Sequence, residues 1–154
     1  MLKKIKATSV KKTGGRFDIV ASKYNARYVD AMLRAATAIL KKAGAKEIQI
    51  VRVPGAFEIP VVVSKLASTS PGPSAIICLG VILRGATTHA QVVSEVVGQQ
   101  LADIAVRTGV PVIHEVLLLE NEQQARERCL SKTHNRGAEA ALTALEMSAL
   151  LARL

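Results

Sequence analysis

"SAIICLGVILRGATTHAQVV", residues 74–93, is the stretch whose reading decides the fold. Residues 74–83 are apolar almost without a break, the pattern of a strand covered on both faces, and Pro71, Gly72 and Pro73 interrupt the chain just before them. Behind a short turn, apolar residues return at 92, 93, 96 and 97 with helical spacing. Thr88 and Gln91 have the spacing of a capping box, which predicts a helix opening at His89. Buried strand, tight turn and helix in succession are the repeating unit of an α/β protein.

The same rhythm extends in both directions. "FDIVAS" (17–22) reads as a first strand and is followed by a loop, "KYN". Apolar positions 29, 32, 33, 36, 40 and 43 predict a helix over 26–43, with Gly44 at its end. "EIQIVRV" (47–53) alternates as a strand does, and "PGAF" turns the chain into a helix over 58–69 with Pro60 in its first turn. Beyond the helix at 89–107, "GVPVIHEVLLL" (109–119) predicts a fourth strand, "ENEQQARERCL" (120–130) a fourth helix and residues 137–154 a last one. Alternation of this kind predicts a parallel sheet with helices on both faces and right-handed crossovers. Ligands of such sheets bind beyond the carboxyl ends of the strands, so the loops at 23–25, 54–58, 84–89 and 114–121 are the ones to read.

Composition sets the bounds. The 154 residues suit one domain, 16–154, behind a basic tail, 1–15. With 49% hydrophobic and 21% charged residues and no long apolar window, a membrane span is not expected. The opening "MLKKIKATSVKKTGGR" lacks the apolar core of a secretory signal, so a cytoplasmic location is expected. Cys78 and Cys129 read as free thiols, with no zinc or redox role. A net charge of +9 favours anionic ligands. Phe17, Tyr24, Tyr28 and Phe57 do not alternate with basic residues as a stacking platform would, so nucleic acid is not the expected partner.

In the decisive turn, Gly85 and Ala86 keep bulk away from the amides that open the helix, where the dipole and unpaired N–H groups favour an anion such as phosphate. His89, at the first helical position, is placed for general acid–base work; a capped helix with an idle surface histidine is the alternative. No GxGxxG or GxxxxGK[ST] fingerprint is present. Phe57 and Glu58 follow a strand and suit a planar ring with polar arms, or else a core phenylalanine and a helix-opening carboxylate. Tyr24 and Asn25 end the first strand in the same layer. Arg126, Arg128, Lys132 and Arg136 offer phosphate-matching forks or a solvated helix face. His114 and Glu115 interrupt an apolar strand, as a partly buried ion pair, a subunit contact or the edge of a site.

Taken together, "VPGAFEIP", "GVILRGATTHAQVV", "PVIHEVLLLENEQQARERC" and "NRGAEAALTALEM" resemble, in order and spacing, the lumazine synthases of riboflavin biosynthesis. The resemblance covers roughly residues 16–150. It implies a flavodoxin-like three-layer αβα sandwich around a central four-stranded parallel sheet. It also implies homo-oligomers: pentamers, with decamers or sixty-subunit shells as larger forms, active sites between neighbouring subunits, and riboflavin synthase as a cargo candidate. The reaction implied joins 5-amino-6-(D-ribitylamino)uracil and 3,4-dihydroxy-2-butanone 4-phosphate into 6,7-dimethyl-8-ribityllumazine, phosphate and water, without cofactor or metal.

By position, Tyr24 looks like the aromatic that stacks on the pyrimidine, with Asn25 beside it. Ala56, Phe57 and Glu58 match the segment that contacts the pyrimidine and ribityl chain, and Val81, Ile82 and Leu83 the strand end beneath the ring. Gly85, Ala86 and Thr87 resemble the phosphate turn, Arg128 the arginine that reaches it from an adjacent subunit, and His89 the proton-transfer residue. Three positions depart from the common pattern: Tyr24 replaces Phe or Trp, His114 replaces an aromatic at the pyrimidine site, and Arg136 replaces a lysine. No insertion separates Arg128 from Arg136, which leans towards a shell.

Overall fold

The computed structural model describes residues 13–154, so the tail expectation for 1–12 lies outside the described residues. Four strands, β1 (Arg16–Ser22), β2 (Glu47–Val53), β3 (Ala75–Leu83) and β4 (Val112–Leu119), form one parallel sheet in the order β2-β1-β3-β4. Helices α1 (Ala26–Lys42) and α5 (Arg136–Leu151) cover one face, and α2 (Ile59–Ala67) and α3 (His89–Thr108) the other. The result is the expected three-layer α/β arrangement.

Strand residues divide by parity, because successive side chains point to opposite faces. Phe17, Ile19, Ala21, Ile77, Leu79, Val81 and Ile113 pack with Val29, Met32, Leu40, Ala140 and Ala144 of α1 and α5. Val20, Ile76, Cys78 and Val116 pack with Ile59, Val63, Val97 and Leu101 of α2 and α3. Residues 75–81 of β3 are all buried, as its continuous apolar run requires of a strand with a strand on each side and a helical layer on each face. β4 is an edge strand, and there His114 and Glu115 fall on opposite faces.

Most element boundaries agree with the sequence reading within a residue or two; the fourth strand starts later, at Val112, because Pro111 precedes it. Three local expectations need correction. The fourth helix is not continuous over 120–130: α4 spans only Glu122–Ala125, and Arg126–Leu130 widens into a π-helical turn that buries Cys129 against the α1 layer. The second helix is entered through a 3₁₀ turn, Ala56–Glu58. The capping box at Thr88 does not form, since Thr88 makes no side-chain cap bond and Gln91 turns elsewhere. No helix among the described residues is long and apolar enough to cross a membrane.

Candidate active site

All four strands are parallel, so their carboxyl ends share one edge, and the strand order changes direction between β1 and β3. That switch point is where such sheets open a crevice. Asn25 spans it: it is the one described non-glycine residue with left-handed φ (57°), and its Nδ2 donates to the Val81 carbonyl at 2.7 Å. A single amide thus ties the loop after β1 to the end of β3. Asn tolerates the left-handed region better than most residues, which explains why it stands here.

Tyr24, beside it, is 72% exposed, and Phe57 is 60% exposed. A Cβ on Gly55 would stand 3.1 Å from Tyr24 Cδ2 and 3.0 Å from Glu58 Oε2, so the glycine lets the ring and the carboxylate lie closer to that turn than a side chain there would. Glu58 closes the same turn, its Oε2 accepting from the Gly55 N–H at 3.0 Å while its side chain faces solvent. The hydrophobic-core reading of Phe57 is therefore excluded, and two large rings stand in water at one edge of the sheet. Ala56 is half-buried in the intervening turn.

At the next strand end Val81 is buried, Ile82 and Leu83 are half-buried, and residues 84–89 are exposed throughout. A Cβ on Gly85 would meet nothing within 4 Å, so there is open space over the turn. Among the described residues the first-turn amides of α3 have one side-chain partner, at long range: the His89 N–H donates to Thr87 Oγ1 at 3.4 Å. The first-turn amides of a twenty-residue helix consequently face outward with little intramolecular competition, beside an exposed imidazole. Tyr24, Asn25, Ala56, Phe57, Glu58, the 81–83 strand end, the 85–87 turn and His89 are all carried on the carboxyl edge of β1, β2 and β3.

The remaining candidates lie elsewhere. Arg136, at the start of α5, donates through Nε and Nη2 to the two oxygens of Glu115 at 3.1 and 3.0 Å, and through Nη1 to Glu139 at 2.8 Å. Of the alternatives for Glu115, the partly buried ion pair is the one found, with Arg136 rather than His114 as partner. Burial pushes the Glu115 carboxyl above its ordinary range, against the pull of the Arg136 guanidinium. Arg128 is exposed on the π-helical turn in the same layer, close enough to act on Glu115 electrostatically. Arg128 and Arg136 therefore belong to the α1/α5 layer, with the sheet between them and the layer of Phe57 and α3.

His114 faces the α2/α3 side, where its Nε2 edge lies against Gly98. Its Nδ1 accepts from the Val116 N–H at 3.1 Å, which leaves the ring proton on Nε2, and burial lowers its pKa. Leu83 pairs with Leu119 in the register, five residues after His114, so His114 sits about 16 Å below the carboxyl edge at ~3.3 Å per residue. One chain cannot bring His114 to Tyr24 and His89. Burial also raises both thiols, Cys129 to about 11 and Cys78 further still, so neither is a nucleophile.

The positions missed by sequence reading are Gly55, whose lack of a side chain seats Tyr24, and Arg84. The Gly55 contact depends on a partner thirty residues away and left no local signal. The family described as 6,7-dimethyl-8-ribityllumazine synthase matches residues 14–152. Two proteins bearing that name are similar to this chain: one from Desulfotalea psychrophila, 41% identical over 145 residues, covering 93% of each chain, and one from Syntrophus aciditrophicus, 43% identical over 143 residues, covering 92% of each.

Proposed function

The chain belongs to the 6,7-dimethyl-8-ribityllumazine synthase family of riboflavin biosynthesis and is an enzyme, a transferase, and from that premise we propose its substrates, its site and its assembly. The reaction is the condensation of 5-amino-6-(D-ribitylamino)uracil with 3,4-dihydroxy-2-butanone 4-phosphate, giving 6,7-dimethyl-8-ribityllumazine, phosphate and water. It proceeds at the carboxyl edge of β1, β2 and β3. The observation that carries this reading is the meeting there of two solvent-facing rings, a loop of open amides at a helix start and His89.

Each step has a group suited to it. The pyrimidine stacks between Tyr24 and Phe57, over the strand end at 81–83, while Glu58 accepts hydrogen bonds from ribityl hydroxyls. The phosphate ester sits on the amides of 85–87 and the first turn of α3, whose dipole favours a dianion. The amine attacks the ketone and the carbinolamine loses one water to give the imine, phosphate is eliminated, and ring closure expels a second water; His89 takes and returns the protons these steps move. Holding two substrates in register supplies most of the rate, and the histidine the rest. This chemistry requires no metal or cofactor.

Arg128, Arg136 and His114 complete the pocket from an adjacent subunit. Two observations support that division: the sheet separates both arginines from His89, and His114 lies too far down an edge strand to reach its own chain's pocket. A second copy also covers apolar surface otherwise left in water, including Phe57, Val61 (70% exposed) and a groove of about 330 Å³ between α2 and α3. Arg136 then acts mainly by fixing charge beside the pyrimidine, since its fork is already filled by Glu115 and Glu139. Pentamers assembled through such head-to-tail contacts, larger shells built from them, a cytoplasmic location and riboflavin synthase as cargo all belong to this reading.

The test is direct: purified, assembled protein given both substrates should form the fluorescent lumazine. His89→Gln should lower turnover by about 10²-fold, the lower end of general acid–base contributions. No product from intact assemblies would reject the substrate assignment, and unchanged turnover in His89→Gln would remove the ring from the proton path.

A further inference from the structure

Arg84, exposed like the rest of the turn, has its guanidinium tied to two neighbouring side chains. Its Nε donates to Glu120 Oε1 and its Nη2 to Gln91 Oε1, each at 2.9 Å. Gln91 passes the connection on, its Nε2 donating to Glu95 Oε1 at 2.6 Å. The Arg84 backbone N–H donates to the Leu119 carbonyl at 2.8 Å, extending the β3–β4 ladder one residue into the loop. One guanidinium thus joins the end of β3, the residue after β4 and the first turn of α3, with residues 85–90 stretched between its two ends.

Two physical consequences follow from these bonds. In a capping box the Gln91 oxygen would reach back to the Thr88 N–H and close the helix start upon itself. Arg84 has taken that oxygen, so the Thr88 N–H gets no bond from Gln91; Thr88, itself in the right-handed helical region, makes no side-chain cap bond either, and the amides stay open to an external anion. The loop is also flanked by two carboxylates, Glu120 and Glu95, which would repel a dianion. Arg84 neutralises the first directly and holds the second at one remove through Gln91.

We propose that Arg84 is a positioning residue for the phosphate-bearing substrate: by bridging Glu120 and Gln91 it keeps the 85–90 turn open and screened for the phosphate group, without touching it. The inference rests on the reading that this turn takes the phosphate. Its Nε and Nη2 are engaged by Glu120 and Gln91, which holds the guanidinium between β4 and α3 and separates it from Arg128, which the proposed reaction uses as a direct phosphate contact.

The experiment measures inhibition by inorganic phosphate, together with KM for each substrate and kcat, on assembled wild-type, Arg84→Met, Arg84→Lys and doubly substituted Arg84→Met, Glu120→Gln enzymes. In Arg84→Met, phosphate inhibition should weaken and KM for the phosphate-bearing substrate should rise by about tenfold, the scale of one lost charge-assisted hydrogen bond. KM for the pyrimidine and kcat should stay within about twofold, because neither the rings nor His89 depends on the bridge. Arg84→Lys, which keeps the charge but reaches one acceptor, should fall between. Glu120→Gln, combined with Arg84→Met, removes the carboxylate that Arg84 screens: positioning predicts that it restores part of the phosphate inhibition lost in Arg84→Met, whereas direct contact by Arg84 predicts no recovery in the double variant and would overturn the proposal. Unchanged phosphate inhibition in Arg84→Met, or an equal loss in every parameter, would overturn it too while leaving the phosphate turn intact. A wild-type enzyme indifferent to phosphate would instead refute the reading beneath it, and the proposal with it.

Discussion

Gly137 is where the packing makes its sharpest quantitative demand. It lies in the first turn of α5, next to Arg136, and a Cβ there would stand 2.5 Å from Met32 Cα, in contact as well with that residue's carbonyl carbon and oxygen. Carbon atoms pack at about 3.5 Å or more, so Gly137→Ala requires α5 to retreat from α1 by about 1 Å. The obstacle is backbone, which cannot rotate aside. A gap of that width forfeits roughly a quarter to a half of the dispersion energy along the seam, where Ala140, Ala141 and Ala144 pack near Met32 and Ala36. Overpacking of this severity costs about 3 kcal/mol, and the better helix propensity of alanine returns less than about 1 kcal/mol at a first-turn position. The net loss of about 2 kcal/mol corresponds to a fall in Tm of about 4–8 °C for a domain of this size. Thermal unfolding at matched protein concentration measures it, since association contributes to the observed Tm. The same retreat draws Arg136 from Glu115, so KM for the pyrimidine should rise as well. A Gly137→Ala protein melting at or above the wild-type temperature would refute the reasoning.

Three further outcomes follow from particular side chains. Burial lowers the His114 pKa, so as pH falls through about 6.5 the unfolded chain takes up the proton first, and stability present above that range is lost on the acid side. The Tm of wild type should therefore drop relative to His114→Phe between pH 7 and pH 5; a gap independent of pH would show that the histidine does not titrate across unfolding. Asn25→Gly keeps the left-handed turn but loses the bond to Val81 and should cost about 1 kcal/mol, whereas Asn25→Ala adds backbone strain and should cost about 2 kcal/mol, an ordering readable by urea unfolding. Tyr24→Phe should leave KM for the pyrimidine within about twofold and Tyr24→Ala should raise it about tenfold, because the contribution is the ring's stacking face; equal effects of the two would assign the role to the hydroxyl.

The layers of this fold are legible because each depends on local pattern. Buried β3 is a continuous apolar run, α1 keeps its spacing from Tyr28 to Leu40, and Gly109 ends α3 in the left-handed conformation a helix terminus favours. What escaped reading depends on distant partners. Gln91 has capping-box spacing, but Arg84 competes for its oxygen and prevails with a charge-assisted bond. Glu115 finds Arg136 twenty-one positions on, and nothing in "VIHEVLLL" indicates which neighbour would answer its charge. The π-helical turn at 126–130 satisfies helical periodicity in sequence while burying Cys129 through a wider coil. For the site, composition singles out His89 and the 85–87 turn as candidates and resemblance points Arg128 to an adjacent subunit, whereas the sheet standing between His89 and both arginines is visible only in the fold.

That division of the pocket between two chains is tested most directly by subunit mixing. His89→Ala and Arg128→Ala proteins, each expected to be strongly impaired alone, are unfolded together in equal amounts, reassembled and assayed for lumazine formation above the sum of their residual rates. If one chain supplies the imidazole and its neighbour the guanidinium, random assortment leaves both intact at about a quarter of the pockets, and about a quarter of wild-type activity returns. If both groups serve the pocket of their own chain, every pocket carries a defect, and mixed assemblies with no activity above that sum would contradict the account.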